Sequence, residues 1–283
     1  MGMGVSAMST HEGVRSVRAD VNYVADSGER GVYEIYDADR SRMPLRTETI
    51  EIRDARTAPE PPNLEREGFC LLDAPSSLTD FSDWEEVQSV YLPELAGTVQ
   101  EAYGAAHVWL QAGHVIRTTD AAARRAGHNP DAARFLHLDY SGASARWFFE
   151  QTVGYDEEIA KRFPKVFAVN TWRCLTPPPQ DVPLAVCDMR TSSLDDLVVA
   201  DARHDGGEVS FEFDISLVRH NPAHAWWYFS DMQPNELLVF KGWDLSPSPT
   251  SCAFHGAFVD PSCPAEAPLR TSIEARVFAV LEG

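Results

Sequence analysis

Arg134-Phe135-Leu136-His137-Leu138-Asp139-Tyr140-Ser141 is the most informative stretch of the 283-residue chain. In an extended strand, residues two apart share a face and lie roughly 6.6 Å apart along the chain. His137 and Asp139 therefore present an imidazole and a carboxylate to one point, while Leu136 and Leu138 face the other way. With one more histidine they would bind one face of an iron ion and leave three positions open for substrate and oxygen. The candidate third ligand is His255, a polar residue in the otherwise apolar strand Cys252-Ala253-Phe254-His255-Gly256-Ala257-Phe258. HxD alone is weak evidence, because two fixed positions in three recur by chance and a lone strand histidine more often plays a structural part. The other histidines compete poorly. His220 and His224 are four apart, but Asn221-Pro222 breaks the helix that would align them. His204 sits beside the turn Asp205-Gly206-Gly207, His11 and His128 fall in polar segments, and His107 and His114 flank an apolar strand and are expected to be structural.

The surroundings of this stretch read as short strands. His107–Ile116, Lys165–Leu175, Leu184–Met189, Leu194–Ala202, Val209–Leu217, Trp226–Ser230, Glu236–Phe240, Cys252–Val259 and Thr271–Leu281 are rich in Val, Phe, Trp and Ile. Clusters of Pro, Gly, Asp and Asn such as Thr176-Pro177-Pro178-Pro179 separate them, the pattern of a β-sandwich or barrel. Helices are expected at Asp83–Ala106, where Trp84, Val87, Tyr91, Leu95, Val99 and Ala102 recur at helical spacing and Pro93 should kink or split the run, and at Tyr155–Phe163. Residues 1 to about 80 are polar, with short strands at Ser16–Tyr23 and Val32–Tyr36 and a proline cluster at 58–62. They are expected to form an N-terminal arm packed on a core of residues 81–283, the whole chain 1–283 being one catalytic domain.

Composition narrows the class. With 24 Lys and Arg against 43 Asp and Glu the formal net charge is −19, which argues against nucleic acid or an anionic membrane as partner. No run of 18 apolar residues is present and the start of the chain lacks a basic region followed by an apolar core, so neither a spanning helix nor a secretory signal is expected. The five cysteines are scattered without a CxxC pair, which fits buried thiols in a reducing, cytoplasmic compartment. Neither GxGxxG nor GxxxxGK[ST] occurs, so nucleotide-binding loops are not expected.

Downstream of His255, Arg270, Ser272, Glu274 and Arg276 alternate with Thr271, Ile273 and Ala275, giving one polar strand face that could line a cavity. A guanidinium fork is the natural partner of a cosubstrate carboxylate; the plain alternative is an Arg–Glu pairing on a solvated strand.

Five blocks in order carry a family resemblance: His137-Leu138-Asp139-Tyr140-Ser141; Asn170-Thr171-Trp172-Arg173-Cys174-Leu175; Pro183-Leu184-Ala185-Val186-Cys187-Asp188; Glu236 through Asp244; and His255-Gly256-Ala257-Phe258 followed by Arg270 through Arg276. Across roughly residues 107 to 280 the chain resembles the iron- and 2-oxoglutarate-dependent oxygenases related to the cephamycin 7α-methoxylase small component and to gibberellin-desaturase-like proteins. The resemblance implies a mainly β fold, a double-stranded β-helix (jelly-roll) core with flanking α-helices, holding Fe(II) between His137, Asp139 and His255 as catalytic and metal-binding residues. It implies 2-oxoglutarate and O2 as cosubstrates, with Arg270 first and Arg276 second as partner of the 2-oxoglutarate carboxylate. Asn170 and Trp172 share a strand face and could line the same cavity, with Arg173 on the opposite face; Lys241 and Asp244 could support the barrel end as an ion pair. Tyr140 should point away from the iron. Asp139 stands where related halogenases carry a small residue, which disfavours halogenation. The implied chemistry is decarboxylation to succinate and CO2, an Fe(IV)-oxo oxidant, and hydroxylation, desaturation or cyclisation of a small natural-product intermediate. Two other readings stay open: a jelly-roll protein that binds small molecules without turnover, and a cupin-like metalloenzyme without 2-oxoglutarate. The partner expected is a small molecule, with no nucleic acid and no membrane, and a homodimer is compatible with this reading.

Overall fold

The computed structural model describes residues 9–11, 13–122, 130–154, 165–205, 210–245 and 252–281. The helix expected at Tyr155–Phe163 lies outside these residues, as do His128 and Gly206-Gly207. Strands are numbered along the chain. One sheet contains β1 (Ser9–His11), β2 (Val14–Val24), β3 (Val32–Glu34), β4 (Leu45–Asp54), β7 (His137–Leu138), β9 (Leu184–Cys187), β10 (Leu197–Asp205), β11 (Ser210–Val218), β12 (Trp226–Tyr228) and β14 (His255–Ala257). The other contains β5 (Phe69–Asp73), β6 (His107–Thr118), β8 (Lys165–Cys174), β13 (Glu236–Asp244) and β15 (Thr271–Leu281). In the larger sheet the order runs β1-β2-β4-β12-β9-β14-β7-β11-β10-β3, and in the smaller β5-β13-β8-β15-β6. This is the jelly roll that the sequence implies.

Strand alternation builds the layers. On β15, Ile273, Ala275, Val277 and Ala279 join Val169 of β8 and Leu237 and Val239 of β13 in a core beneath a helix. The helical segment comprises α1 (Trp84–Glu86), a π-helical turn Val87–Tyr91 and α2 (Leu92–Tyr103), which ends on Gly104 in the left-handed conformation. Pro93 has no N–H to give to the carbonyl four residues earlier, so a wider turn at this point is the expected response. Leu92, Leu95 and Val99 are buried against the sheet, each contributing about 1.5–3 kcal/mol.

The opposite faces of the smaller sheet meet the larger one. Trp172, Phe240, Leu238 and Phe69 share a core with Leu184 and Val186, while Phe278, Val280 and Ala168 share another with Leu138. The first 80 residues supply strands to both sheets: β2 pairs with β4 along its length, β4 with β12, and β5 with β13. The β2 strand also reaches the segment leading into β7, where Asn22 accepts from the Leu136 amide through its backbone carbonyl and donates from Nδ2 to the Arg134 carbonyl at 2.7 Å.

The strands β1, β4 and β5 and the helix after the HxD stretch escape the sequence reading. β4, Leu-Arg-Thr-Glu-Thr-Ile-Glu-Ile-Arg-Asp, buries only Ile52 and Asp54, so its apolar signal is faint. α3 (Gly142–Val153) follows directly on the HxD stretch, with Ser141 as its N-cap and a reciprocal bond to Ser144; that capping pair was the available signal.

Candidate metal centre

β7 and β14 are antiparallel neighbours, and the register places His255 opposite His137. Their rings lie 4.4 Å apart. Asp139, just beyond β7, stands between them: Oδ1 is 3.8 Å from His137 Nε2 and Oδ2 is 3.8 Å from His255 Nε2. The three donors all lie within 4.8 Å of one another, and all three residues are buried. Atoms bound to one ion at about 2.1 Å are separated by roughly 3–4 Å, so the spacing fits a metal.

Protonation states fit as well. The Phe135 carbonyl can only accept, so the 2.9 Å contact to His137 Nδ1 places the proton there and leaves Nε2 as the free donor atom. Burial pulls the pKa of His137 down and that of His255 down to about 3, keeping both rings neutral. For Asp139, burial pushes the pKa up, but the charge and the hydrogen bond of the Arg276 guanidinium oppose it and the carboxyl stays ionised, below the usual carboxylate range. Asp139 Oδ1 accepts from Arg276 Nη2 at 2.8 Å, and Oδ2 accepts from Asn170 Nδ2. Two neutral imidazoles and a carboxylate on one side of a site are the donor set of non-haem iron.

The polar face of β15 is paired rather than freely solvated: Ser272 is buried, and Glu274 and Arg276 are partly buried. Glu274 Oε1 lies 3.5 Å from Arg276 Nη2 and accepts from Arg117 Nε at 3.0 Å; Arg117 also donates to the Tyr33 hydroxyl and the Asp131 carbonyl. Asp139, Arg276, Glu274 and Arg117 thus alternate in sign.

Arg270 differs from Arg276. It is 1 % exposed, donates from Nη1 to the Val182 carbonyl at 3.0 Å, and lies over the Trp172 ring at 5.5 Å. Among the described residues Nε and Nη2 have no hydrogen-bond partner, and burial lowers the pKa to about 10. Among the described residues no carboxylate pairs with it in an ion pair. Trp172 belongs to the apolar cluster that contains Phe240, whose ring lies 4.7 Å from that of His255. The Arg270 guanidinium and the histidine cluster are therefore joined by one continuous apolar wall.

The remaining candidates separate by face. Asn170 and Trp172 point into the roll; Arg173 points to the helix side, donating to the carbonyls of Ala74 and Pro234 at 2.6 Å each and to the Tyr91 hydroxyl at 3.3 Å. Lys241 places its ammonium 4.8 Å from the Phe167 ring. Tyr140 turns its hydroxyl to Gln111. His114 stacks on Trp84 and contacts Gln88, and His224 bonds to Asp196. All five cysteines are free thiols, with Cys174, Cys187 and Cys252 buried. Sequence reasoning missed Arg117 as a member of the charge chain and the two glycines, Gly242 and Gly256, that sit against Asn170 and Phe135.

A jelly roll that brings two histidines and one carboxylate together carries the donor set of non-haem iron centres. More particularly, the chain belongs to the family described as Oxidoreductase/YMDC permease-like domain, whose profile matches residues 21–280. It is 29 % identical to the hydroxylase/desaturase efuI of Hormonema carpetanum over 94 % of this chain and 96 % of that protein. It is 28 % identical to the Fe(II)/2-oxoglutarate-dependent dioxygenase nvfI of Aspergillus novofumigatus over 80 % of this chain and 81 % of that protein. Among solved structures, the iron and alpha-ketoglutarate-dependent endoperoxidase NvfI superposes with a TM-score of 0.80 at 23 % identity, covering 95 % of this chain and 99 % of that one, a likeness of fold. No helix of the described residues is long and apolar enough to cross a membrane.

Proposed function

We propose that the protein binds Fe(II) through His137 Nε2, Asp139 and His255 Nε2, takes up 2-oxoglutarate with Arg270, and hydroxylates, desaturates or cyclises a small natural-product intermediate. The observation that carries this reading is Arg270: a buried cation with two nitrogens unpartnered among the described residues is costly unless an anion meets it. A carboxylate is the matching anion, because its two oxygens fit the guanidinium fork. The names of the relatives, a hydroxylase/desaturase, a dioxygenase and an endoperoxidase, support the range of outcomes.

When bound, the iron supplies activation of O2, coupled to decarboxylation of 2-oxoglutarate to succinate and CO2 and to removal of a hydrogen from the substrate. The protein's own part is positional. Phe135 holds the proton on His137 Nδ1, and burial keeps both imidazoles uncharged. Arg270 anchors the distal carboxylate of the cosubstrate, with the Trp172 face beneath the guanidinium. Phe240, Leu184 and Val186 exclude water along the wall between Arg270 and His255. The described chain is read as one catalytic unit, since strands from its first 80 residues complete both sheets. Five free cysteines support a reducing, cytoplasmic setting.

The test is calorimetric titration of the anaerobic protein with Fe(II) and then 2-oxoglutarate, followed by admission of O2 and measurement of succinate. The expected result is one iron per chain and succinate formation, both lost in His137→Ala. A wild-type protein that binds no iron would overturn the proposal, and so would succinate formation undiminished in His137→Ala.

A further inference from the structure

Asp139 is gripped from the facing sheet on both oxygens. Arg276 takes Oδ1 and Asn170 takes Oδ2, and the register of β15 on β8 puts these two residues directly opposite one another. The amide of Asn170 has only one useful orientation, since Nδ2 can donate to a carboxylate and Oδ1 would repel it. Oδ1 instead points at Gly242, and a Cβ at that position would overlap it and press the Ala168 carbonyl at 3.2 Å. Gly242 lies at the register shift of β13 between Lys241 and Trp243, and its φ is not in the left-handed region. Its missing side chain therefore serves space rather than backbone conformation.

Charge completes the arrangement. Arg276 alone would neutralise Asp139, but it is shared with Glu274, which is shared in turn with Arg117. The carboxylate keeps its negative charge for an ion while its plane is fixed by two donors.

We propose that Asn170, Arg276 and Gly242 are positioning residues for the metal carboxylate: Arg276 and Asn170 fix its two oxygens, and Gly242 provides the room that holds the Asn170 amide with its donor toward Asp139. This rests on Asp139 being a metal ligand. The device acts before any cosubstrate arrives, so it is measurable as metal affinity and ligand field without turnover.

The test is anaerobic titration of the full metal-free chain with Co(II), read by calorimetry and by the visible d–d spectrum. Gly242→Ala, which removes no atom of the site, and Asn170→Leu, close to isosteric and without a donor, each weaken Co(II) binding by about 10- to 100-fold and shift the d–d bands. The double variant binds no more weakly than Asn170→Leu alone, because Gly242 acts through Asn170. Arg276→Met weakens binding similarly, and Arg276→Lys recovers part of the loss. Circular dichroism verifies folding, and Asn170→Ala replaces Asn170→Leu should the latter fail to fold. Wild-type affinity and spectrum in the Asn170 and Gly242 variants overturn the inference, as do losses that multiply in the double variant. A wild-type chain that binds no Co(II) instead overturns the metal-centre reading itself.

Discussion

Replacing Arg270 by Met should separate stability from function in opposite directions. Burial lowers the Arg270 pKa from its ordinary value to about 10. At about 1.4 kcal/mol per pH unit, the ionised group is about 3 kcal/mol less favourable in the folded than in the unfolded chain at neutral pH. Part of that is structural compensation the mutation would also lose: the bond to the Val182 carbonyl and the contact with the Trp172 face. These are worth roughly 1–2 kcal/mol together, so the metal-free, cosubstrate-free Arg270→Met protein should gain about 1–2 kcal/mol. For a chain of this size that is a rise in Tm of about 2–4 °C. With 2-oxoglutarate the sign reverses. Removing a buried, two-point charge partner costs about 2–5 kcal/mol of binding, a loss of roughly 30-fold or more in affinity. Differential scanning fluorimetry without ligands and calorimetry of 2-oxoglutarate binding to the anaerobic metal-loaded protein measure the two halves. A fall in Tm without ligand, or a Kd within threefold of wild type, would refute the reasoning, because either would show that Arg270 is a structural cation already satisfied by the fold.

Other substitutions test the separation of faces. Arg173→Met strands three acceptors behind β8 and should cost about 3–5 kcal/mol of stability, seen as a lower urea midpoint, with 2-oxoglutarate affinity of the folded protein unchanged. Gly256→Ala would place a Cβ 2.5 Å from the Phe135 carbonyl, the group that orients His137, so weaker Co(II) binding should accompany a loss of about 1–3 kcal/mol in stability. An unchanged affinity would show that His137 needs no such orientation. In chelator-treated protein the depressed pKa of His255 means that the unfolded chain takes up its proton first, near pH 6.5. Stability should therefore fall by roughly 1.4 kcal/mol per pH unit from this group as pH drops from 6.5 toward 3. His255→Gln should flatten that slope in pH-dependent urea denaturation, and an unaltered slope would assign it elsewhere.

Much of the larger architecture is legible because alternation along a strand is a local property. Thr271–Leu281 shows apolar residues on one side and Ser272, Glu274 and Arg276 on the other, and the structure keeps that division. His137 and Asp139 are legible for a related reason, the shared face of residues two apart, and His255 joins them through the ordered blocks that carry the family resemblance. What stays hidden depends on register between distant segments. Arg276 reaches Asp139 across 137 positions of sequence only because β15 pairs with β8 in one particular alignment. Nothing local distinguishes its guanidinium from that of Arg270, yet among the described residues one is committed to two carboxylates and the other to none. The strand Leu45–Asp54 escapes notice because both sheet neighbours cover its backbone while most of its side chains stay at least partly in solvent. Gly242 and Gly256 carry no signal of their own, since what matters is the atom that would collide with a side chain they lack.

The grip of Asn22 on Arg134 and Leu136 makes the first long strand the rear support of the metal strand. Lifting β2 off that segment frees the Leu136 amide and would slacken the backbone that carries His137, so metal binding and opening would oppose each other. If opening releases the ion, metal at a hundred times its Kd adds about 2.7 kcal/mol to the opening free energy. Deuterium uptake at Leu136 then becomes roughly a hundredfold slower, and a protease acting near the beginning of the chain meets a target whose exposure is governed by iron occupancy.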